Sequence, residues 1–207
     1  MPKSKSSRLW LREHRNDTYV QRAKKEGYRA RSVYKLLEIN DRHKLFKPGM
    51  VVIDLGAAPG SWSKLALEKI GKKGMLLALD ILPIEPIPGV IFLQGDFTKN
   101  IIIEELMKKL DGKLVDVVLS DMAPNLSGCE ITDQSKTMEL ALAALIFARK
   151  VLAPHGIFLV KVFQGEEFPN YLKKIREYFM EIKTIKPEAS RARSKEVFLL
   201  AKTLKSL

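Results

Sequence analysis

The chain has 207 residues, 46% of them apolar and 29% charged. That is the balance of one folded domain with a sizeable core, not of a disordered chain. Its 36 Lys and Arg outnumber 24 Asp and Glu, a formal charge of +12, which suits a polyanionic partner such as nucleic acid.

A single cysteine, Cys129, excludes an internal disulfide and fits a reducing compartment. The three histidines, His14, His43 and His155, are too scattered for a metal cluster, so no metal site is expected. The longest apolar run, residues 140–148, is far short of the roughly 20 residues of a membrane span. The first 15 residues lack the apolar stretch of a secretory signal. A cytoplasmic protein without membrane contact is expected.

Residues 1–47 hold 14 Lys and Arg against five Asp and Glu, a net of +9 of the total +12. They form a basic N-terminal extension to a body at residues 48–207. Trp10, Tyr19, Tyr28 and Tyr34 are interleaved with the cations, a mixture suited to RNA phosphates and bases. Ser32 is placed to N-cap a helix whose stripe is Val33, Leu36 and Leu37. Lys35 lies about 200° round that helix from Val33, so by position alone it reads as a solvated lysine.

The body alternates strand and helix. Strands are predicted at 50–55, 75–80, 90–94, 115–120 and 156–163, and helices at 61–70, 99–110, 133–152 and 169–179. Strands at 180–186 and 196–202 follow, with a connection too short for a crossover helix, so they pair as an antiparallel hairpin. The architecture is α/β, a doubly wound, Rossmann-like, mostly parallel sheet of seven strands. Its ligand site belongs at the carboxyl ends of the first strands.

Those ends carry chemistry. The first turn, DLGAAPGSWS at residues 54–63, is built from small residues that let a ligand approach the backbone. Its spacing is neither the dinucleotide nor the triphosphate glycine motif. Asp80 ends the second strand, where a carboxylate accepts ribose hydroxyls. Gly95-Asp96-Phe97 ends the third, offering an acceptor for an adenine amine and a ring to lie on it. Three such turns in order point to an adenosyl ligand. Lys161 lies inside the fifth buried strand, where an unpaired ammonium is costly, so it is paired or functional. In residues 190–196, SRARSKE, a solvated charge run is an equal reading, and only Glu196 stands at a strand start.

Nearly end to end the chain resembles the FtsJ family of S-adenosylmethionine-dependent RNA ribose 2′-O-methyltransferases, and within it the bacterial enzymes acting on a uridine of large-subunit rRNA. The resemblance is carried by RSVYKL (31–36), DLGAAPGSWS (54–63), LALD (77–80), GDF (95–97), SDMAPN (120–125), VKVFQG (160–165) and KPEASRARSKEVFLLA (186–201). It implies a catalytic set of Lys35, Asp121, Lys161 and Glu196, and cofactor contacts from Gly60, Trp62, Asp80, Asp96 and Asp121, beside Phe97. It assigns to Lys161 removal of the hydroxyl proton, or orientation of a hydroxyl lone pair. It further implies S-adenosylmethionine as cofactor, and as partner the A-loop of 23S rRNA in the 50S subunit, met by a monomer. The alternatives are a tRNA 2′-O-methyltransferase with the same machinery and a non-catalytic RNA chaperone or ribosome-assembly factor.

Overall fold

The computed structural model describes residues 17–124 and 130–206; Trp10, His14, Asn125 and Cys129 lie outside them. The described chain opens with a helix that the periodicity did not predict, α1 (Thr18–Lys25). Asp17 caps it, its carboxylate accepting from the Tyr19 and Val20 amides at 3.0 and 3.3 Å. Only Val20 and Ala23 of α1 are buried, too short a stripe to read as helical spacing. In α2 (Val33–His43), Val33 and Leu36 are fully buried and Leu37 half-buried, as expected. Ser32 does not cap α2 with its hydroxyl. Its carbonyl instead accepts from Trp62 Nε1 at 2.9 Å.

The body follows as β1 (Val51–Leu55), α3 (Ser61–Ile70), β2 (Met75–Asp80), β3 (Val90–Gln94), α4 (Asn100–Leu110) and β4 (Val115–Ser120), then α5 (Glu130–Val151), β5 (Leu152–Phe163), α6 (Phe168–Tyr178), β6 (Phe179–Ile185) and β7 (Glu196–Leu204). The seven strands form one sheet in the order β3-β2-β1-β4-β5-β7-β6, parallel except for β7, which runs antiparallel to both β5 and β6. The sequence boundaries hold to within a few residues. The largest departure is at β5, which starts at Leu152 and not at Gly156. Its register with β4 jumps from Val115↔Leu152 to Val117↔Ile157. Pro154, which has no N–H to give a ladder, sits in that irregularity.

Alternating strand residues feed two cores. Ile53, Leu55, Leu77, Val118, Phe158 and Val160 face α4, α5 and α6, while Val52, Leu76, Ala78, Val117, Leu159 and Phe198 face α2 and α3. Residues 17–47 are therefore part of the second layer. Their tyrosines are spent in that docking. Tyr34 is 3% exposed and packs against Tyr19 and Tyr28, with ring centroids 5.5 and 6.4 Å away. Arg22 covers Tyr34, Arg31 covers Tyr19 and Lys64 covers Tyr28. The expectation that these rings serve as stacking platforms for bases is thus corrected for Tyr34 and weakened for the other two. No helix among the described residues is long and apolar enough to cross a membrane.

Trp62 binds the two parts together through Ser32, and its ring lies 5.6 Å from that of Phe198 in the body. Trp62→Phe is expected to cost about 2 kcal/mol from the lost hydrogen bond and the smaller buried ring. A lower urea midpoint at unchanged m would show it.

Candidate active site

The order of the sheet reverses between β1 and β4, and a crevice opens where the strands on either side of such a reversal end. A cavity of about 330 Å³ lies there, within the range of small-molecule sites. Gly56, Ala58, Asp80, Asp96, Phe97 and Asp121 are among its walls. The turn after β1 is pinned to β2: the Gly56 and Ala57 amides donate to Leu79 O at 2.9 and 3.1 Å. Gly56 has φ +80°, and a Cβ there would lie 2.7 Å from the Met122 amide nitrogen. Only glycine lets the turn and the β4 end approach this closely.

Asp80 holds the same turn. Its Oδ2 accepts from the Ala58 amide and its Oδ1 from the Leu82 amide, both at 2.8 Å. Each oxygen keeps a lone pair for a diol. Asp96 accepts from the Thr98 hydroxyl at 2.7 Å and amide at 2.9 Å through one oxygen. Those two bonds hold its carboxyl below the usual carboxylate range. Phe97 lines the cavity but is 3% exposed and packs edge-on against Phe147, 5.4 Å between centroids. It is a wall of the core first.

Gly60 and Trp62 do not line this cavity. Gly60 precedes α3 with φ +101°, and the Trp62 side chain is buried on the far side against Phe198. The Gly60 amide donates to Ala57 O at 2.6 Å; behind it the N-terminus of α3, with the helix dipole, favours an anion.

Four further residues meet across the sheet. Lys161 Nζ donates to the Asp121 carbonyl at 2.6 Å. Asp121 Oδ1 lies 2.9 Å from the same nitrogen, an ion pair without the alignment of a hydrogen bond. Register pairs Lys161 with Phe198 and Phe163 with Glu196, which sets all four side chains on one face. Glu196 Oε1 receives Lys35 Nζ at 2.6 Å and the Ser190 hydroxyl at 3.0 Å. Burial pushes the Glu196 carboxyl up, but Lys35, Lys161 and the Ser190 hydroxyl outweigh it and leave it below the ordinary range. Lys35 is thus not the solvated lysine that its helical position suggests; its side chain is 15% exposed. A second cavity, about 300 Å³, opens beyond this pair, lined by Arg31, Ser32, Lys35, Arg191, Ser194 and Glu196. Asp121 therefore borders one cavity, Lys35 and Glu196 the other, and Lys161 stands between them. Among the described residues no three or more His, Cys, Asp or Glu cluster as metal ligands would.

Asp54 was not singled out by the motifs. It is fully buried in β1, and its Oδ2 accepts from Ser63 Oγ at 2.6 Å while Oδ1 has no partner. The argument applied to Lys161, a charge inside a buried strand, would have found it.

A family model described as FtsJ-like methyltransferase matches residues 28–204. A relative from Azoarcus sp. (strain BH72), named Ribosomal RNA large subunit methyltransferase E, is 56% identical over 99% of this chain and 100% of its own. A relative of the same name from Chromobacterium violaceum is 55% identical over 98% of each chain. Among solved structures, a Plasmodium falciparum chain assigned as a ribosomal RNA methyltransferase superposes with a TM-score of 0.77 at 29% identity, over 86% of this chain and 98% of that one. Fibrillarin from Aeropyrum pernix, with bound S-adenosyl-L-methionine, superposes with a TM-score of 0.58 at 18% identity, over 84% and 75%, and shares the fold.

Burial raises the Asp54 carboxyl to about 7, the Ser63 hydroxyl opposing and the Asp121 and Asp80 charges adding to the rise. The folded state therefore holds a proton that the unfolded chain releases near pH 4. Stability from this group is present below that pH and is lost as pH rises through about 7. Asp54→Asn, which keeps an acceptor for Ser63, is expected to gain stability relative to the parent across that window and to hold the gain above it. Urea titrations from pH 4 to 8.5 test this; a constant difference would rule it out.

Proposed function

The chain belongs to the FtsJ-like methyltransferase family, and we propose that it methylates the ribose 2′-hydroxyl of a uridine in the A-loop of 23S rRNA, presented by the 50S subunit. Its chemistry is S-adenosylmethionine-dependent methylation of ribosomal RNA. The observation that carries the reading is the pair of buried Lys161 and half-buried Asp121 between two cavities, one suited to a nucleoside and one lined by cations.

The donor set of the first cavity fits the cofactor. Asp80 offers acceptors to a ribose diol, Asp96 to an adenine amine, and the α3 N-terminus offers amides to a carboxylate. Gly56 and Gly60 keep the backbone turn clear of side chains. The cofactor supplies a methyl on a sulfonium, which leaves as a neutral thioether.

This chain must orient the hydroxyl and manage its proton. Lys161 is placed for both: Nζ, held by the Asp121 carbonyl and carboxylate, meets the 2′-oxygen and, having passed one ammonium proton to solvent, takes the hydroxyl proton as the new C–O bond forms. Glu196 stays ionised and holds Lys35 on the acceptor side. Arg191, Ser32 and Ser194 there suit a phosphodiester. The basic segment 1–47, which contributes Lys35 and Arg31, is the RNA-binding part of the molecule.

The direct test is transfer of labelled methyl to 50S subunits, free 23S rRNA and bulk tRNA from cells lacking this protein, with the labelled nucleotide mapped. Label on one A-loop uridine in 50S is expected. Label on tRNA would overturn the target. Binding of cofactor with no label on any RNA would overturn the catalytic reading in favour of a binding factor.

Lys161→Ala is expected to slow transfer at least about 100-fold with cofactor affinity nearly unchanged. Lys161→Arg is expected to be as slow, since a guanidinium donates but does not take up a proton at neutral pH; an active K161R would leave orientation as the lysine's role. Arg191→Ala is expected to raise the RNA KM and to reduce the salt slope of RNA binding by about 1.

A further inference from the structure

Arg29 lies six residues before Lys35 and, by composition, belongs with the cations that meet RNA. Its guanidinium is committed elsewhere. Nη1 donates to Glu85 O at 2.8 Å and to Pro59 O at 3.1 Å. Nη2 donates to Pro86 O at 3.4 Å, with the Glu85 carboxylate 3.7 Å away. These contacts engage most of the five donors of the fork.

The three carbonyls come from two separate segments. Pro59 follows Ala58, a wall of the first cavity, and Glu85 and Pro86 come shortly after Ile81 and Leu82, walls that the turn after β2 contributes. Both segments are loops, Ile81 and Leu82 are 52% and 58% exposed, and few other bonds hold the second one in place. At Gly60 the segments close on each other: a Cβ there would lie 2.8 Å from Ile87 Cδ1 and 3.0 Å from Arg29 Nη1. A planar fork places donors on separate nitrogens and so reaches carbonyls spread along its width, whereas a lysine's donors all radiate from one nitrogen.

We infer that Arg29 is a positioning residue for the cofactor: it clamps the Pro59–Gly60 turn to the Glu85–Pro86 stretch and keeps the cavity between their continuations in its ligand-accepting shape. The inference rests on reading that cavity as the S-adenosylmethionine site. It gives the basic segment a second task, since the residues that bring Lys35 to the acceptor side also hold the cofactor side together.

The test is calorimetric titration of the full chain with S-adenosylmethionine and with S-adenosylhomocysteine, for the parent, Arg29→Ala, Arg29→Lys and Lys64→Ala, with a melting curve for each. Lys64 donates to Gly27 O at 2.9 Å, so its loss loosens the same segment without touching either wall. Arg29→Ala is expected to weaken both ligands about tenfold, Arg29→Lys about threefold, and Lys64→Ala not at all. In turnover, Arg29→Ala is expected to raise the cofactor KM with kcat nearly unchanged. Parent-like affinity in Arg29→Ala, or an equal loss in Lys64→Ala, would overturn the inference. If Arg29→Ala does not fold, Arg29→Lys decides on the same terms. A parent protein that binds neither nucleoside would overturn the cofactor reading itself, and the inference with it.

Discussion

An ammonium inside a buried strand cannot stand alone. Lys161 is 7% exposed in a strand whose neighbours Val160 and Val162 are fully buried, and a lone charge there would cost several kcal/mol. The surrounding structure answers that cost with charges of alternating sign. Asp121 meets Lys161 from the end of β4, Glu196 stands across the β5–β7 ladder, and Lys35 closes the row from α2. Two cations and two carboxylates balance, and removing one leaves its neighbours uncompensated. Much of the topology follows from that requirement: β7 must run antiparallel into β5 for Glu196 to lie beside Phe163, and α2 must dock on the same face for Lys35 to reach it.

The docking of α2 is the more demanding condition, because it unites residues some 160 positions apart. It rests on neutral as much as on charged contacts. Trp62 takes Ser32 O, Arg31 reaches Asp17 and Ala189 O, and the Ala30 amide donates to Ser61 Oγ at 2.7 Å. The excess positive charge of the first 47 residues is consequently not all free to meet a polyanion. Arg22 pairs with Glu26, Arg42 with Glu38 and Glu188, and Lys35 with Glu196. What the net charge of +12 measures is a field over the surface; which cations touch a partner is decided by the pairs already made.

That distinction separates what the sequence disclosed from what it hid. Strand ends, the closing hairpin and the acids after β2 and β3 were legible, because each is a local pattern: an apolar run, a short connection, a carboxylate at a strand terminus. Lys161 was legible by the same logic, and Glu196 by its place at a strand start. Lys35 was not legible from helical spacing, which put it opposite the apolar stripe and therefore in water; a carboxylate from the other end of the chain meets it there. The tyrosines of the basic segment misled for the same reason. Their interleaving with cations suits bases, yet Tyr34 is buried by Tyr19, Tyr28 and Arg22. α1 escaped notice because an eight-residue helix with two buried side chains is held by its cap and its neighbours more than by its own period.

The two cavities show why a doubly wound sheet suits group transfer between a nucleoside cofactor and a polymer. At the reversal between β1 and β4 the crossover connections diverge, and the carboxyl ends of the strands stand clear of both helical layers. The first cavity is made there by turns after parallel strands, with acids and small residues. The second cavity cannot be made the same way, because the strand that follows β5 in the row, β7, runs antiparallel to it. It is made instead by the antiparallel β7, entering from the turn that carries Arg191 and Ser194, and by the N-terminal layer above it. Lys161, near the carboxyl end of β5, occupies the seam between the two constructions. A lysine placed one strand earlier would lie among the walls of the first cavity, and one placed a strand later would lose Asp121. The position of the lysine is thus set by where the sheet changes from parallel to antiparallel, before any detail of the chemistry is considered.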